Sequence, residues 1–393
     1  MSSRRATGPA PPVTPALLTE TLLSKHYRLR IDRSTGAIVS LKLQANGREM
    51  LGGPANVVVA EKAKKQRAPG DFLDARPLRD RLGTSGDRPV EISAAASPLA
   101  TVIDIRGTLL GKPCRRRIWL HKDYPRIDFE TEIHDLPDGT AVVAEFPLAS
   151  DISLERRGIP YGFSQRPPAP GIVPAVRWSH YEMKGRGGVA LFDRGLPGRE
   201  LNGRTPLLYL LNAVEKYRGY PNAWLSGAGR HVSRYALTAH RVPWALVRIA
   251  QMAWEFNAPP IVVPGCAADE RSWFYETSGN MIVESLRRVG GEIELRMVEC
   301  LGLEGDAELT FRLTFRDAWV TDLAGGNRKR IGVRTTYKLP VRPQQIVTMR
   351  FRTEGRALAE PKPLVEWDPL VPEPKRAALH EYSNDKGHPP FGY

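Results

Sequence analysis

Ile127-Asp-Phe-Glu-Thr-Glu-Ile133 alternates apolar and polar side chains, with Thr131 standing at one of the apolar positions. That period of two belongs to an extended strand with one face on a core and the other toward water. Leu309-Thr-Phe-Arg-Leu-Thr-Phe-Arg316 and Glu292-Ile-Glu-Leu-Arg-Met297 repeat the pattern. Further apolar runs lie outward from these, at Tyr27 to Ile31, Ile38 to Leu43, Val57 to Ala60, Thr101 to Ile105, Val142 to Phe146, Gly188 to Phe192, Leu207 to Leu211 and Thr335 to Leu339. Gly, Pro, Asn and Asp punctuate them. Many strands and few helices predict an all-β, antiparallel sandwich.

One stretch departs from this period. After Pro243, a residue suited to the first turn of a helix, Trp244, Val247, Ala250, Met252, Ala253 and Phe256 form an apolar stripe. The spacing predicts one amphipathic helix lying over a sheet and ending at Asn257 and Pro259. Residues 62–88, carrying KAKKQR (Lys62 to Arg67) and RPLRDRLGTSGDRP, read as a long loop between strands. The expected organisation is a disordered tail at 1–16, a β-supersandwich at 17–260, closing strands or a small β-domain at 261–354, and a Pro-rich extended tail at 355–393.

With 393 residues, 41% apolar and 25% charged, the chain has the composition of a globular protein of two or three structural units. No run of 18 apolar residues predicts a membrane span. The N-terminus, MSSRRATGPAPPVTPALL, is interrupted by Pro9, Pro11, Pro12 and Pro15, so no secretory signal is expected. Cys114, Cys266 and Cys300 are odd in number and far apart, which predicts reduced thiols in a cytoplasmic setting. The net charge of +14 raises a nucleic-acid reading, but apart from KAKKQR and RRR (Arg115 to Arg117) the 57 basic residues are interleaved with 43 acidic ones. A solvated, Arg-rich surface is the expectation, with no nucleic-acid partner. An anionic glycan remains open.

Chemistry is sparse in the motif inventory. Glycoside hydrolysis needs two carboxylates facing each other across a sugar. Glu130 and Glu132, and likewise Glu292 and Glu294, share a strand face, but it is the polar face, where they are expected to be solvated. The eight histidines give no HExxH or HxH pattern, and neither a GxSxG elbow nor a phosphate-binding glycine loop is present.

A resemblance enters between residues 158 and 260. Pro160-Tyr161-Gly162 with Arg166, Arg177-Trp178, Gly188 to Asp193, Tyr235 to His240, and Phe256-Asn257 with Pro259 follow one another in the order found in the C-terminal β-rich region of family 38 α-mannosidases, glycoside hydrolases. Tyr27 to Leu51, with its Asp-x-x-x-Gly turn, resembles the first sandwich hairpin of that region, and Asn280 to Cys300 a late strand pair. The resemblance spans roughly residues 20–354. It implies a β-supersandwich of galactose-mutarotase-like architecture with one or two short helices. It also implies a role in hydrolysing α-mannosidic bonds, in glycan or mannose metabolism.

In the family, a zinc ion and an aspartate nucleophile belong to an N-terminal barrel that carries a His-x-Asp pair, and this chain has no counterpart of those motifs. The resemblance therefore assigns it no catalytic residue, no metal ligand and no cofactor, with zinc expected only in the missing barrel. Tyr161, Arg166, Trp178, Asp193 and Arg194 are the candidate sugar-contacting residues. The alternative is that Tyr161 and Trp178 are core aromatics, that Arg166 pairs with a carboxylate, and that Gly162 serves only the turn after Tyr161. Three functions are open: a sandwich working beside a separate barrel polypeptide, a carbohydrate-binding module, and a structural remnant.

Overall fold

The computed structural model describes residues 2–3, 14–16, 19–63, 77–169, 171–213, 216–217, 220–221, 226–259, 271–272, 274–276 and 278–353. Strands make up 59% of the described residues, which include one α-helix. Every strand pairing among the described residues is antiparallel, in line with the expected all-β class. A ten-stranded sheet runs in the order Gly162–Arg166, Ile152–Ile159, Trp178–Met183, Gly187–Asp193, Arg230–His240, Ile127–His134, Lys112–His121, Ala100–Leu109, Glu91–Ala96, Thr14–Ala16. A six-stranded sheet that includes Val57–Ala63, Thr140–Glu145 and Thr205–Ala213 packs on it. Among the described residues no helix is long and apolar enough to cross a membrane.

The largest core lies between these sheets. Ile103, Ile118, Phe129, Tyr235 and Leu237 meet Val58, Val142 and Leu208, and the first hairpin closes one side with Tyr27, Leu29 and Leu41. A second sandwich pairs a five-stranded sheet (Met281–Val289, Glu292–Glu299, Ile346–Thr353, Phe315–Thr321, Lys329–Ile331) with a three-stranded one around Met297, Leu309, Phe311, Met349 and Phe351. A third cluster joins the two sandwiches. In it Phe163, Trp178 and Phe192 meet Ile249, Ala253 and Phe256 of the helix, together with Ile282 and Val298.

Local pattern placed strands such as Tyr27–Ile31, Ile38–Leu43 and Ile127–His134 but not Lys112–His121, Ile152–Ile159 or Ile346–Thr353, and the departures have physical causes. Leu309 to Arg316 does not form one strand: Gly305–Phe311 ends, and Phe315–Thr321 begins in the other sheet. The alternation survives the crossing because Phe311 and Phe315 both point into the core shared by the two sheets, their rings 5.3 Å apart. The expected single helix is two pieces. A 3-10 turn, Trp244–Val247, is separated from Ile249–Asn257 by Arg248 in a left-handed conformation (φ 60°, ψ 40°). The loop expected at 62–88 contains the strand Pro77–Thr84. Thr14–Ala16, expected in the N-terminal tail, pairs with Ala94 to Ala96. The remainder of residues 1–16, apart from 2–3, lies outside the described residues, as do 64–76, Cys266 and the tail from 354 onward. Cys114 and Cys300 are buried, and neither is in a disulfide.

The charged residues depart furthest from expectation. Glu292 and Glu294 are buried rather than solvated, because the neighbouring strand ladders lay guanidiniums over them. Arg350 Nε and Nη2 bond Glu294 at 3.0 and 2.8 Å, Arg287 Nη2 lies 2.8 Å from the same carboxylate, and Arg328 grips Glu292 at 2.9 and 3.1 Å. Glu130 is held between Arg117 (3.0 Å) and Arg234 (2.9 Å). Hydrogen bonds from Arg230 and His134 pull Glu132 down to about 2. The Arg115 to Arg117 triplet is a strand, so it alternates: Arg115 pairs with Asp104 and Arg117 with Glu130 on the outer face. Arg116 turns inward, 1% exposed. Its Nη1 donates to Asn56 O at 3.1 Å and Gly36 O at 3.4 Å, and its Nη2 to Thr35 O.

Those three carbonyls belong to the turn of the first hairpin and the entry to Val57–Ala63, so Arg116 ties the hairpin to both sheets. Replacing Arg116 with Met would leave them without a donor, and each buried unsatisfied group costs about 1–3 kcal/mol. We expect a loss of about 3–5 kcal/mol in urea unfolding followed by tyrosine and tryptophan emission. Replacement of the exposed Arg106 serves as the neutral control.

Candidate functional site

Gly158-Ile-Pro-Tyr-Gly-Phe-Ser-Gln-Arg-Pro167 forms a two-residue hairpin at the edge of the large sheet, with Ile159 paired to Gly162. Proline suits the second position of such a turn, and Tyr161 takes the left-handed conformation (φ 59°) that the third position requires of type II geometry. Gly162 therefore serves a different need from the one expected. A Cβ there would lie 2.2 Å from Gln344 Oε1, which accepts a hydrogen bond from Phe163 N at 2.9 Å. A Cβ at Gly158 would lie 2.2 Å from Val176 O, which closes in as Val176 N donates to Gly158 O at 2.8 Å. Phe163 packs edge-on to Trp244 at 5.0 Å and near Trp178 at 6.1 Å. The hairpin thus docks the second sandwich, through Gln344, onto the large sheet.

The same docking leaves a cleft beneath the hairpin, lined by Ile159, Phe163, Arg177, Trp178, Trp254 and Glu284, among others. Arg177 holds a left-handed backbone (φ 67°), and its guanidinium lies 3.8 Å from the centre of the Trp254 ring. Trp254 Nε1 donates to Glu284 Oε1 at 3.3 Å, and Arg177 Nη1 is 3.8 Å from the same oxygen. Burial raises the Glu284 carboxyl above its usual range, against the opposing pull of Arg177 and the indole N–H. A strained residue, a perturbed carboxyl and an aromatic face in one cleft are the marks of a functional site. Its enclosed volume is about 20 Å³, room for one water, against the roughly 300 Å³ at which ligand pockets begin. A sugar could rest only across the rim.

Neither Glu284 nor Trp254 stood out in the sequence. The signal is a break in alternation. The ladder between Met281–Val289 and Glu292–Glu299 shifts register between Val283 and Ser285, and such a bulge re-aims the residue it carries, here Glu284.

The five candidate sugar contacts take separate places. Tyr161 is 38% exposed on its turn and so is not a core aromatic. Arg166 pairs with the buried carboxylate of Glu155 at 3.5 Å, beside Arg157, which holds the same group at 3.0 Å. Trp178 is enclosed in the cluster between the sandwiches. Asp193 is buried against Arg199 and accepts from Leu196 N at 2.8 Å. Arg194 stacks on Phe256 at 4.8 Å and donates to Phe256 O at 2.6 Å, while Asn257 Nδ2 donates to Asp193 O at 2.9 Å. Asp193 and Arg194 therefore hold the C-terminal end of the helix, where a cation meets its free carbonyls favourably. Among the described residues no three His, Cys, Asp or Glu side chains are arranged to hold a metal.

No protein-family model matches the chain. Human α-mannosidase 2C1 is 27% identical over 327 residues, covering 77% of this chain and 30% of the human protein. The chain thus spans about a third of the length of that relative. An α-mannosidase from Enterococcus faecalis V583 superposes with a TM-score of 0.71 at 15% identity, over 86% of this chain and 43% of its own. A glycosyl hydrolase family 38 protein from Enterococcus faecalis does so with a TM-score of 0.71 at 15% identity, over 88% and 45%. By homology to the human enzyme and by the fold shared with the two bacterial chains, the protein is related to part of a family 38 α-mannosidase.

Proposed function

We propose that the chain is the β-sandwich portion of an α-mannosidase-like glycoside hydrolase, and that it serves hydrolysis of α-mannosidic bonds together with a catalytic barrel that is not among these residues. The observation behind this reading is the asymmetry of the match: 77% of this chain is homologous to 30% of the human enzyme. The carboxylates support it. Arg230 and His134 hold the Glu132 carboxyl low, and Arg350 and Arg287 hold Glu294 below the usual carboxylate range. A general acid needs a carboxyl free to keep and release its proton near neutral pH. In this reading zinc belongs to the barrel. The site of action is the cytoplasm, where Cys114 and Cys300 remain thiols.

On this reading the purified chain gives no turnover of an aryl α-mannoside above the uncatalysed rate, with or without added zinc. Metal-dependent turnover by this polypeptide alone would overturn the proposal.

A second reading, carbohydrate binding by the isolated chain, rests on the rim of the cleft, where Trp254 offers an aromatic face and Arg177 and Glu284 offer a donor and an acceptor. Titration with methyl α-mannoside should quench tryptophan emission saturably, and Trp254→Phe should remove most of the quenching. A flat titration of the wild-type chain ends this reading without touching the first.

A further inference from the structure

Two imidazoles meet on the outer face of the large sheet, under the connection that leads to the helix. His180 and His240 are both buried, their rings stacked with centroids 5.1 Å apart and their Nε2 atoms 2.9 Å apart. They stand on strands separated by Gly187–Asp193, which presents Gly188 between them. A Cβ at Gly188 would fall 2.3 Å from His180 Nε2, so the contact requires glycine there.

Hydrogen-bond logic assigns every proton in the cluster. Val242 O can only accept, so His240 Nδ1, 2.7 Å away, carries a hydrogen. Nε2 of a neutral His240 then accepts, and His180 Nε2 donates to it. That leaves His180 Nδ1 as an acceptor, and it faces Arg156 Nη1, which can only donate, at 3.3 Å. The second Nη1 hydrogen goes to Glu182 at 2.7 Å and the Nε hydrogen to Gln165 at 2.8 Å. The chain from Arg156 to Val242 is complete with both imidazoles neutral and has no acceptor to spare. A proton added to either ring sets two donors against each other and adds positive charge beside Arg156.

The charged groups facing the pair are few. Arg156 comes from Ile152–Ile159 and Glu182 from Trp178–Met183. Gly188 and Ala190 bring no charge from Gly187–Asp193, and Thr238 none from the last strand. Trp244 lies above, 4.8 Å over the Arg156 guanidinium and 6.4 Å from the His180 ring. It also packs on Phe163 and Trp178, the residues that seat the second sandwich. One turn further on, Arg248 sits in its left-handed conformation before the helix.

We propose that the Arg156–His180–His240–Val242 chain is an acid-sensitive latch: while both imidazoles are neutral it holds Trp244 and the Trp244–Val247 turn on the large sheet, and their protonation releases that turn, with Arg248 as the hinge. The direction of the titration agrees. Burial, each other's charge and Arg156 push His180 well below its ordinary range, and burial lowers His240 to about 4 despite the hydrogen bond to Val242. Both folded-state values lie below that of an unfolded histidine, about 6.5, so the stabilisation is fully present above that pH. It declines as the pH falls and is gone once the pH passes the folded-state value near 4.

The test is a pH titration of the full chain from 7.5 to 3.5, followed by tryptophan emission and by the imidazole carbon-bound proton signals. We expect a red shift of emission with a midpoint near pH 4 to 4.5 that coincides with protonation of His240, precedes loss of far-ultraviolet β signal, and disappears in Trp244→Phe. The double variant His180→Gln, His240→Gln keeps amide donors and acceptors without a titratable ring and should hold its emission to at least one pH unit lower. An emission midpoint in the double variant equal to that of wild type would overturn the latch. If that variant does not fold, the wild-type titration decides alone: protonation of His240 with no change in Trp244 emission, or titration of both histidines near 6.5, overturns it equally.

Discussion

A guanidinium with no carboxylate beside it holds the centre of this protein together. Arg116 is enclosed between the two large sheets and satisfied by three backbone carbonyls, two of them in the turn of the first hairpin. Burial disfavours its charge, and the carbonyl dipoles are what make it tolerable there. The sheets must therefore approach to within one arginine's reach at that point, with the hairpin folded across them. Tyr235, stacked on Phe129 at 5.2 Å, reinforces the junction by donating to Asn56 Oδ1 at 2.6 Å.

The same cation recurs under opposite conditions on the outer faces. There arginines from neighbouring strands close over Glu130, Glu132, Glu292 and Glu294, and the last two are buried. A chain with more basic than acidic residues thus leaves these acids little chemical freedom. That bears on function, because Glu132 and Glu294 are thereby held below the usual carboxylate range, the wrong direction for the proton donor of a glycosidase.

Between the sandwiches lies the seam made by the 158–167 hairpin, Trp178, Trp244 and the helix. The 158–167 hairpin can serve either as the mouth of a site or as a dock between sheets. It does the second, through Phe163 and Gln344, and in doing so shapes the cleft of Arg177, Trp254 and Glu284. The Arg156–His180–His240 chain lies under the opposite end of the same seam, so its charge state and the seating of Trp244 share one packing arrangement.

The sequence by itself determined several of the strands, because alternation is a local property: Tyr27–Ile31 and Ile38–Leu43 are where the pattern puts them, and Ile127–His134 is one residue longer. It also carried the resemblance to the family, since short motifs keep their order whatever surrounds them. It did not determine which polar residues face water. Glu294 and Arg116 sit in alternating runs that read alike on paper, yet what each meets is set by strands tens of residues away, Ile346–Thr353 for one and the Thr35–Asn56 segment for the other. The break at Arg248, the bulge at Glu284 and the meeting of His180 with His240 across Gly188 belong to the same class. Side-chain period is written within a strand, whereas burial and proton affinity depend on which strands become neighbours, and only the tertiary structure decides that.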